Sequence, residues 1–306
     1  MANHGYKEVT LNLHFYLISP ARFVHPVSAR SPKPDLTVMK MNCVLLSFLV
    51  GGILSAQAQD WSKTRLEKSP RHQEWVTVSN GTHAVKCFVV YPEVKDKALS
   101  VLVIHENRGL TDWVRGVADQ LAEQGYIAIA PDLLTGTGPT GGDTSSFASQ
   151  DDATRAIGQL KADQVQADLG AVADYVIKDP AASGQLVVAG FCWGGGQSFA
   201  FATHRANLKA SFVFYGTPPR DPAQIAKIPC PVYGFYGGND ARVDATIGPA
   251  QDLMKTAGKT YDPVTYEGAG HAFMRLGEDP AAEGPNKTAR EDAWKRWKEL
   301  LKKSAS

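Results

Sequence analysis

A thiol, a carboxylate and an imidazole, each set in a glycine-rich stretch, are the residues of this chain whose types and order could carry out nucleophilic catalysis. In Gly190-Phe191-Cys192-Trp193-Gly194 the spacing G-x-nucleophile-x-G suits a sharp strand-to-helix turn that strains the backbone and aims its central side chain outward. Glycines on either side admit the close backbone approach such a turn needs. Further on come Gly237-Gly238-Asn239-Asp240 and Gly268-Ala269-Gly270-His271. A thiol needs a base to become a thiolate, imidazole titrates near neutrality, and a carboxylate orients the ring and stabilises its charged form. Taken singly, Cys192 reads as a buried unpaired cysteine, Asp240 as a turn former and His271 as an ordinary core or surface histidine. Their joint occurrence, each in a glycine-rich loop after a predicted strand and in the order Cys192, Asp240, His271, outweighs those readings. Asp244 is an alternative acid deeper into its segment. His204 and His105 are alternative bases, the first too close to Cys192 along one helix and the second closing an early strand.

The elements that must hold these residues are strands alternating with helices. Trp75–Val78 and Ala84–Tyr91 flank Asn80-Gly81 and predict an antiparallel hairpin at a sheet edge. Leu99–His105 and Tyr126–Ala130 are continuous apolar runs of the kind buried on both faces, and Asp112–Gln124 between them has helical spacing with Gly125 as its stop. Leu134–Ser149 reads as one long loop and Asp151–Ile177 as one helix. The run Gln185–Ala189 leads into the cysteine turn. Strands Ala210–Tyr215, Val232–Tyr236 and Tyr261–Tyr266 follow, with helices near Gln197–Ala202, Ile247–Thr256 and Ala289–Leu301. This pattern predicts an α/β class chain: a mostly parallel sheet covered by helices on both faces. Ligands of such sheets bind beyond the strands' C-terminal ends, which is where the candidate residues stand.

Four stretches together, His105-Glu106-Asn107-Arg108-Gly109-Leu110, Gly190-Phe191-Cys192-Trp193-Gly194-Gly195, Tyr236-Gly237-Gly238-Asn239-Asp240 and Gly268-Ala269-Gly270-His271-Ala272-Phe273, carry a resemblance to the dienelactone hydrolase family of α/β-hydrolases. It extends over nearly all of the chain after about residue 59. The resemblance implies an α/β-hydrolase fold, Cys192 as nucleophile, His271 as base and Asp240 as orienting acid. It also implies that Glu106 contacts the resting thiol and moves when substrate binds. Backbone amides of Asn107 and Trp193 would form the oxyanion hole. Arg275 falls where the family motif places an arginine for the substrate carboxylate, while Arg155 lies in the right general region for a second. The activity implied is hydrolysis of carboxylic esters or lactones through a thioester, narrowly that of a dienelactone hydrolase, with no metal and no cofactor. Family members are commonly monomers, and the partner expected is a small ester or lactone.

Composition sets outer bounds. Lys plus Arg number 32 against 31 for Asp plus Glu, so no basic field attracts nucleic acid. Hydrophobic residues at 43% and charged residues at 21% are ordinary for a globular chain with a large core. Met39-Lys40-Met41, the apolar run Cys43–Leu54 and Ala56-Gln57-Ala58 predict a secretory signal peptide over 39–58, with 1–38 as an upstream extension and 59–306 as a single exported domain, periplasmic or secreted. The chain after such a cut would keep Cys87, Cys192 and Cys230, an odd number with at least one thiol unbridged in the molecule. Two rivals stand beside the narrow reading: a general small-ester hydrolase with the same three residues, and a non-catalytic ligand-binding or redox-sensing protein.

Overall fold

The computed structural model describes residues 61–81 and 83–306. The predicted extension over 1–38 and the signal peptide over 39–58, with the export they imply, lie outside the described residues. A helix, α1, covers residues 61–67. The hairpin strands β1 (Gln73–Asn80) and β2 (His83–Val90) follow, then the wholly buried β3 (Ala98–Ile104). Next are α2 (Asp112–Glu123), β4 (Ile127–Asp132), α3 (Gln150–Ile157), α4 (Ala162–Val176), β5 (Ala182–Phe191), α5 (Trp193–Ala202) and β6 (Leu208–Phe214). The order closes with α6 (Pro222–Ile225), β7 (Val232–Gly237), α7 (Ala241–Asp244), α8 (Ile247–Thr256), β8 (Tyr261–Tyr266), α9 (Phe273–Leu276) and α10 (Pro285–Ala305).

One eight-stranded sheet has the order β1-β2-β4-β3-β5-β6-β7-β8. The β1–β2 and β2–β4 pairs are antiparallel and every other pair is parallel, as the alternation of strands and helices predicts. Apolar residues on both sides of β3, β4 and β5 need cover on both faces. Trp113, Val117 and Leu121 of α2 with Ala293 and Trp297 of α10 cover one. Val165, Leu169 and Val172 of α4, Phe199 of α5 and Met254 of α8 cover the other.

Two predicted segments differ from the structure. Asp151–Ile177 is broken into α3 and α4, because the two halves bury different faces. Ala153 and Ile157 of α3 pack with Leu134, whereas α4 lies on the sheet, and Gly158 ends the first piece. The long loop Leu134–Ser149 is pinned by Asp132, whose carboxylate accepts from Leu134 N–H at 3.0 Å, Thr144 N–H at 2.9 Å and the Thr144 hydroxyl at 2.7 Å. Two short 3-10 turns, Pro139–Gly141 and Thr144–Ser146, interrupt it.

Beside α9, the carboxylate of Glu278 gathers donors from three helices. Trp113 Nε1 and Gln120 Nε2 of α2 donate at 3.0 and 2.6 Å, Arg65 of α1 at 2.9 Å, and Arg290 of α10 stands 3.4 Å away. These donors satisfy both oxygens of an otherwise enclosed carboxylate.

Candidate active site

Cys192 sits between β5 and α5 with φ 55° and ψ −117°, a conformation an L-residue enters only under constraint. Among the described residues four non-glycine residues have positive φ, and three of them, Cys192, Tyr215 and Ala272, lie at this one place. The constraint comes from the glycines. Gly190 lies against the Gly194 carbonyl, Gly194 against the carbonyls of Ile104 and His105, and Gly195 against Gly216, so that any added β-carbon would overlap backbone. The Cys192 amide donates to Phe214 O at 3.0 Å, which ties the turn to β6.

His271 Nε2 lies 3.0 Å from Cys192 Sγ, and its Nδ1 lies 2.5 Å from Asp240 Oδ2. Thiol, imidazole and carboxylate, separated by 79 and 31 residues along the chain, therefore form one hydrogen-bonded line. The contact with the cysteine sulfur raises the His271 pKa from 6.5 to about 9; burial opposes that rise and the Asp240 carboxylate adds to it. A raised value means that stabilisation from protonating His271 is complete below pH 6.5 and is lost as pH climbs toward about 9. Removing the sulfur removes the largest cause, so the His271 ring resonances of Cys192→Ala are expected to titrate well below about 9 in an NMR series. A midpoint unmoved by the substitution would contradict this.

The alternatives separate cleanly. His204 turns its Nδ1 to Ala200 O at 2.9 Å, His105 is fully buried with its Nδ1 on Glu106 O, and Asp244 has no hydrogen bond to His271 among the described residues.

Glu106, Asn107 and Trp193 border the same place. Glu106 is buried but does not meet the thiol as the resemblance implies; its Oε2 accepts from Arg275 Nε at 2.7 Å instead. A guanidinium holds a carboxylate far better than a neutral thiol does, and the sulfur is left to His271. Among the described residues the other oxygen, Oε1, and the Tyr215 hydroxyl meet no partner at hydrogen-bond geometry, although Tyr215 lies near enough to feel the Glu106 charge; burial first and that charge second push the phenol well up. Asn107 and Trp193 line a cavity of about 350 Å³ with Cys192, Thr154, Ile157 and Tyr215. As the first residue of α5, Trp193 has an amide with no helical carbonyl a turn earlier.

Arg155 is not brought to this cavity. It points outward from α3 with its side chain 68% exposed and pairs with Asp152. Its neighbours Thr154, Ile157 and Gly158 face inward, and the 100° step of the helix turns Arg155 away from them. Arg242 lines the cavity in its stead, two residues past Asp240, exposed and without an ion pair among the described residues. Tyr215 was also reachable from sequence, as the first residue past β6. Cys87 and Cys230 are buried free thiols, and burial pushes the Cys230 thiol up to about 12. No cluster of three His, Cys, Asp or Glu among the described residues is placed to hold a metal ion.

A nucleophile-position residue at a β5–α5 elbow over a mostly parallel sheet defines an α/β-hydrolase. Within that class the chain belongs to the dienelactone hydrolase family, whose model matches residues 85–305. It is 30% identical over 217 residues to a Salmonella typhimurium protein named "Putative carboxymethylenebutenolidase", covering 67% of this chain and 77% of that one. A Klebsiella pneumoniae structure described as "Putative Dienelactone Hydrolase" superposes with TM-score 0.66 at 25% identity, covering 76% of this chain and 98% of that one. The dienelactone hydrolase of Anabaena variabilis shares the fold, with TM-score 0.55 at 20% identity over 74% of this chain and 96% of that one. The chain is thus a hydrolase of the dienelactone hydrolase family.

Proposed function

We propose that the protein hydrolyses small carboxylic esters or lactones through a thioester on Cys192, with His271 as acid and base and Asp240 as its orienting partner. The observation that carries this reading is the unbroken line from Cys192 Sγ, which lines the cavity, through His271 to Asp240. The thiolate attacks the carbonyl carbon, and the electron pair moved onto oxygen rests on the Asn107 and Trp193 amides. Collapse expels the alcohol or enolate, which takes the proton from His271 Nε2. Water then attacks the thioester, giving its proton to His271, and the thiolate leaves with the acyl group released as a carboxylic acid.

The preferred substrate carries its own carboxylate. Arg275 holds the buried Glu106 carboxylate, and a substrate carboxylate would compete with Glu106 for it, freeing the glutamate to move. Arg242 is proposed as the second cation in place of Arg155. Rapid mixing with a slow ester, followed by intact mass measurement, is expected to show an acyl adduct on Cys192 that hydroxylamine removes. Turnover without any adduct, in the wild type and undiminished when Cys192 is alkylated, would end the proposal. For the substrate class, Arg275→Ala should raise KM for 4-carboxymethylene-butenolide by about tenfold while changing that of a neutral aryl ester much less. Equal effects on both would favour a general small-ester hydrolase.

A further inference from the structure

His105 is the first residue past β3 and is fully buried, yet none of the steps above uses it. Three contacts hold its ring. Nδ1 lies 2.7 Å from the Glu106 carbonyl oxygen, Nε2 lies 3.3 Å from the Leu133 amide nitrogen, and the ring face stacks on the Trp193 indole with centroids 5.5 Å apart and planes at 18°. The Leu133 amide can only donate, so Nε2 is the bare nitrogen and the proton of the neutral ring sits on Nδ1, donating to Glu106 O. Burial works the same way by disfavouring the imidazolium.

The peptide unit joining Glu106 to Asn107 is planar, so its C=O and N–H point in opposite directions within one plane. Whatever holds the Glu106 oxygen therefore aims the Asn107 N–H. On its other side the ring supports Trp193, which bears the second amide, and the Ile104 and His105 carbonyls abut Gly194. We propose that His105 is a positioning residue for the oxyanion hole, aiming the Asn107 N–H through the Glu106 carbonyl and seating Trp193 through its ring face. This rests on the reading of Cys192 as the attacking thiolate and of these two amides as the donors. Donors act well only at about 2.7–3.1 Å from the developing oxyanion. A rotated peptide plane weakens the transition state without altering how the thiol sits.

The test compares wild type with His105→Phe, His105→Gln and His105→Asn. Phenylalanine keeps the stacking face and loses both hydrogen bonds; glutamine reaches toward the Nε2 position only; asparagine returns a donor where Nδ1 stands. Three quantities are measured: ester turnover, the rate of Cys192 alkylation by iodoacetamide, and affinity for a trifluoromethyl ketone that adds the thiol to give an oxyanion. For the Phe and Gln variants kcat and ketone affinity should fall together by about 10- to 100-fold, with KM and alkylation rate held within about twofold. Asn should recover most of the loss. Alkylation by displacement creates no oxyanion, so a merely disturbed elbow would slow it in step with turnover, and that outcome overturns the proposal. So does unchanged kcat and ketone affinity in Phe, or, if Phe does not fold, equal values in Gln and Asn. Failure of the nucleophile reading shows separately, as wild-type turnover that survives complete alkylation of Cys192.

Discussion

Replacing Cys192 with alanine is expected to lower ester turnover by about 10⁴-fold or more while leaving the protein folded. The sulfur is the atom that faces His271 Nε2, and among the described residues no second nucleophile is hydrogen-bonded to that nitrogen. The side chain is partly exposed and projects from the elbow, so its removal opens no large core void. The loss should be non-additive, because His271→Ala in the alanine background removes a base with nothing left to activate. Initial rates on an aryl ester, read beside a thermal unfolding curve, decide it. Undiminished turnover in a folded Cys192→Ala protein would sink the thioester mechanism.

Gly190→Ala should have the largest effect on stability, about 3 kcal/mol or more, because its β-carbon would lie inside the Gly194 carbonyl group. Relief cannot come from a rotating side chain, since the obstacle is backbone in the first turn of α5. Moving that turn would also pull Gly194 off the Ile104 and His105 carbonyls. Gly170→Ala is the matched control: it sits within α4 with nothing within 4 Å of the added carbon, and should stabilise by about 0.5–1 kcal/mol. Denaturant midpoints of the two variants are expected to move in opposite directions. A Gly190→Ala protein as stable as wild type would show that the elbow is not held as described.

The central strands were legible because β3 and β4 are mostly apolar stretches ending at polar residues, and the candidate triad was legible because each member stands in a glycine-rich stretch past a strand. What local patterns could not show is direction and distant pairing. Arg155 and Thr154 are adjacent in sequence, yet only Thr154 faces the cavity. The Glu106–Arg275 pair joins residues 169 apart, and no spacing rule reaches across that distance. The break between α3 and α4 was hidden because the apolar period carries on through Leu160, which packs with both layers. Single-turn helices such as α6 and α7 are too short to leave a period at all.

The Glu278 carboxylate has a mechanical consequence. Arg275 rides on α9, one turn before Glu278, while Glu106 precedes the loop that opens α2, and α2 supplies Trp113 and Gln120 to that same carboxylate. Both sides of the Glu106–Arg275 ion pair are thus bolted to one post. The movement of Glu106 that the proposed reaction calls for would therefore be a swing of its side chain within a braced frame, not a shift of the backbone on either side.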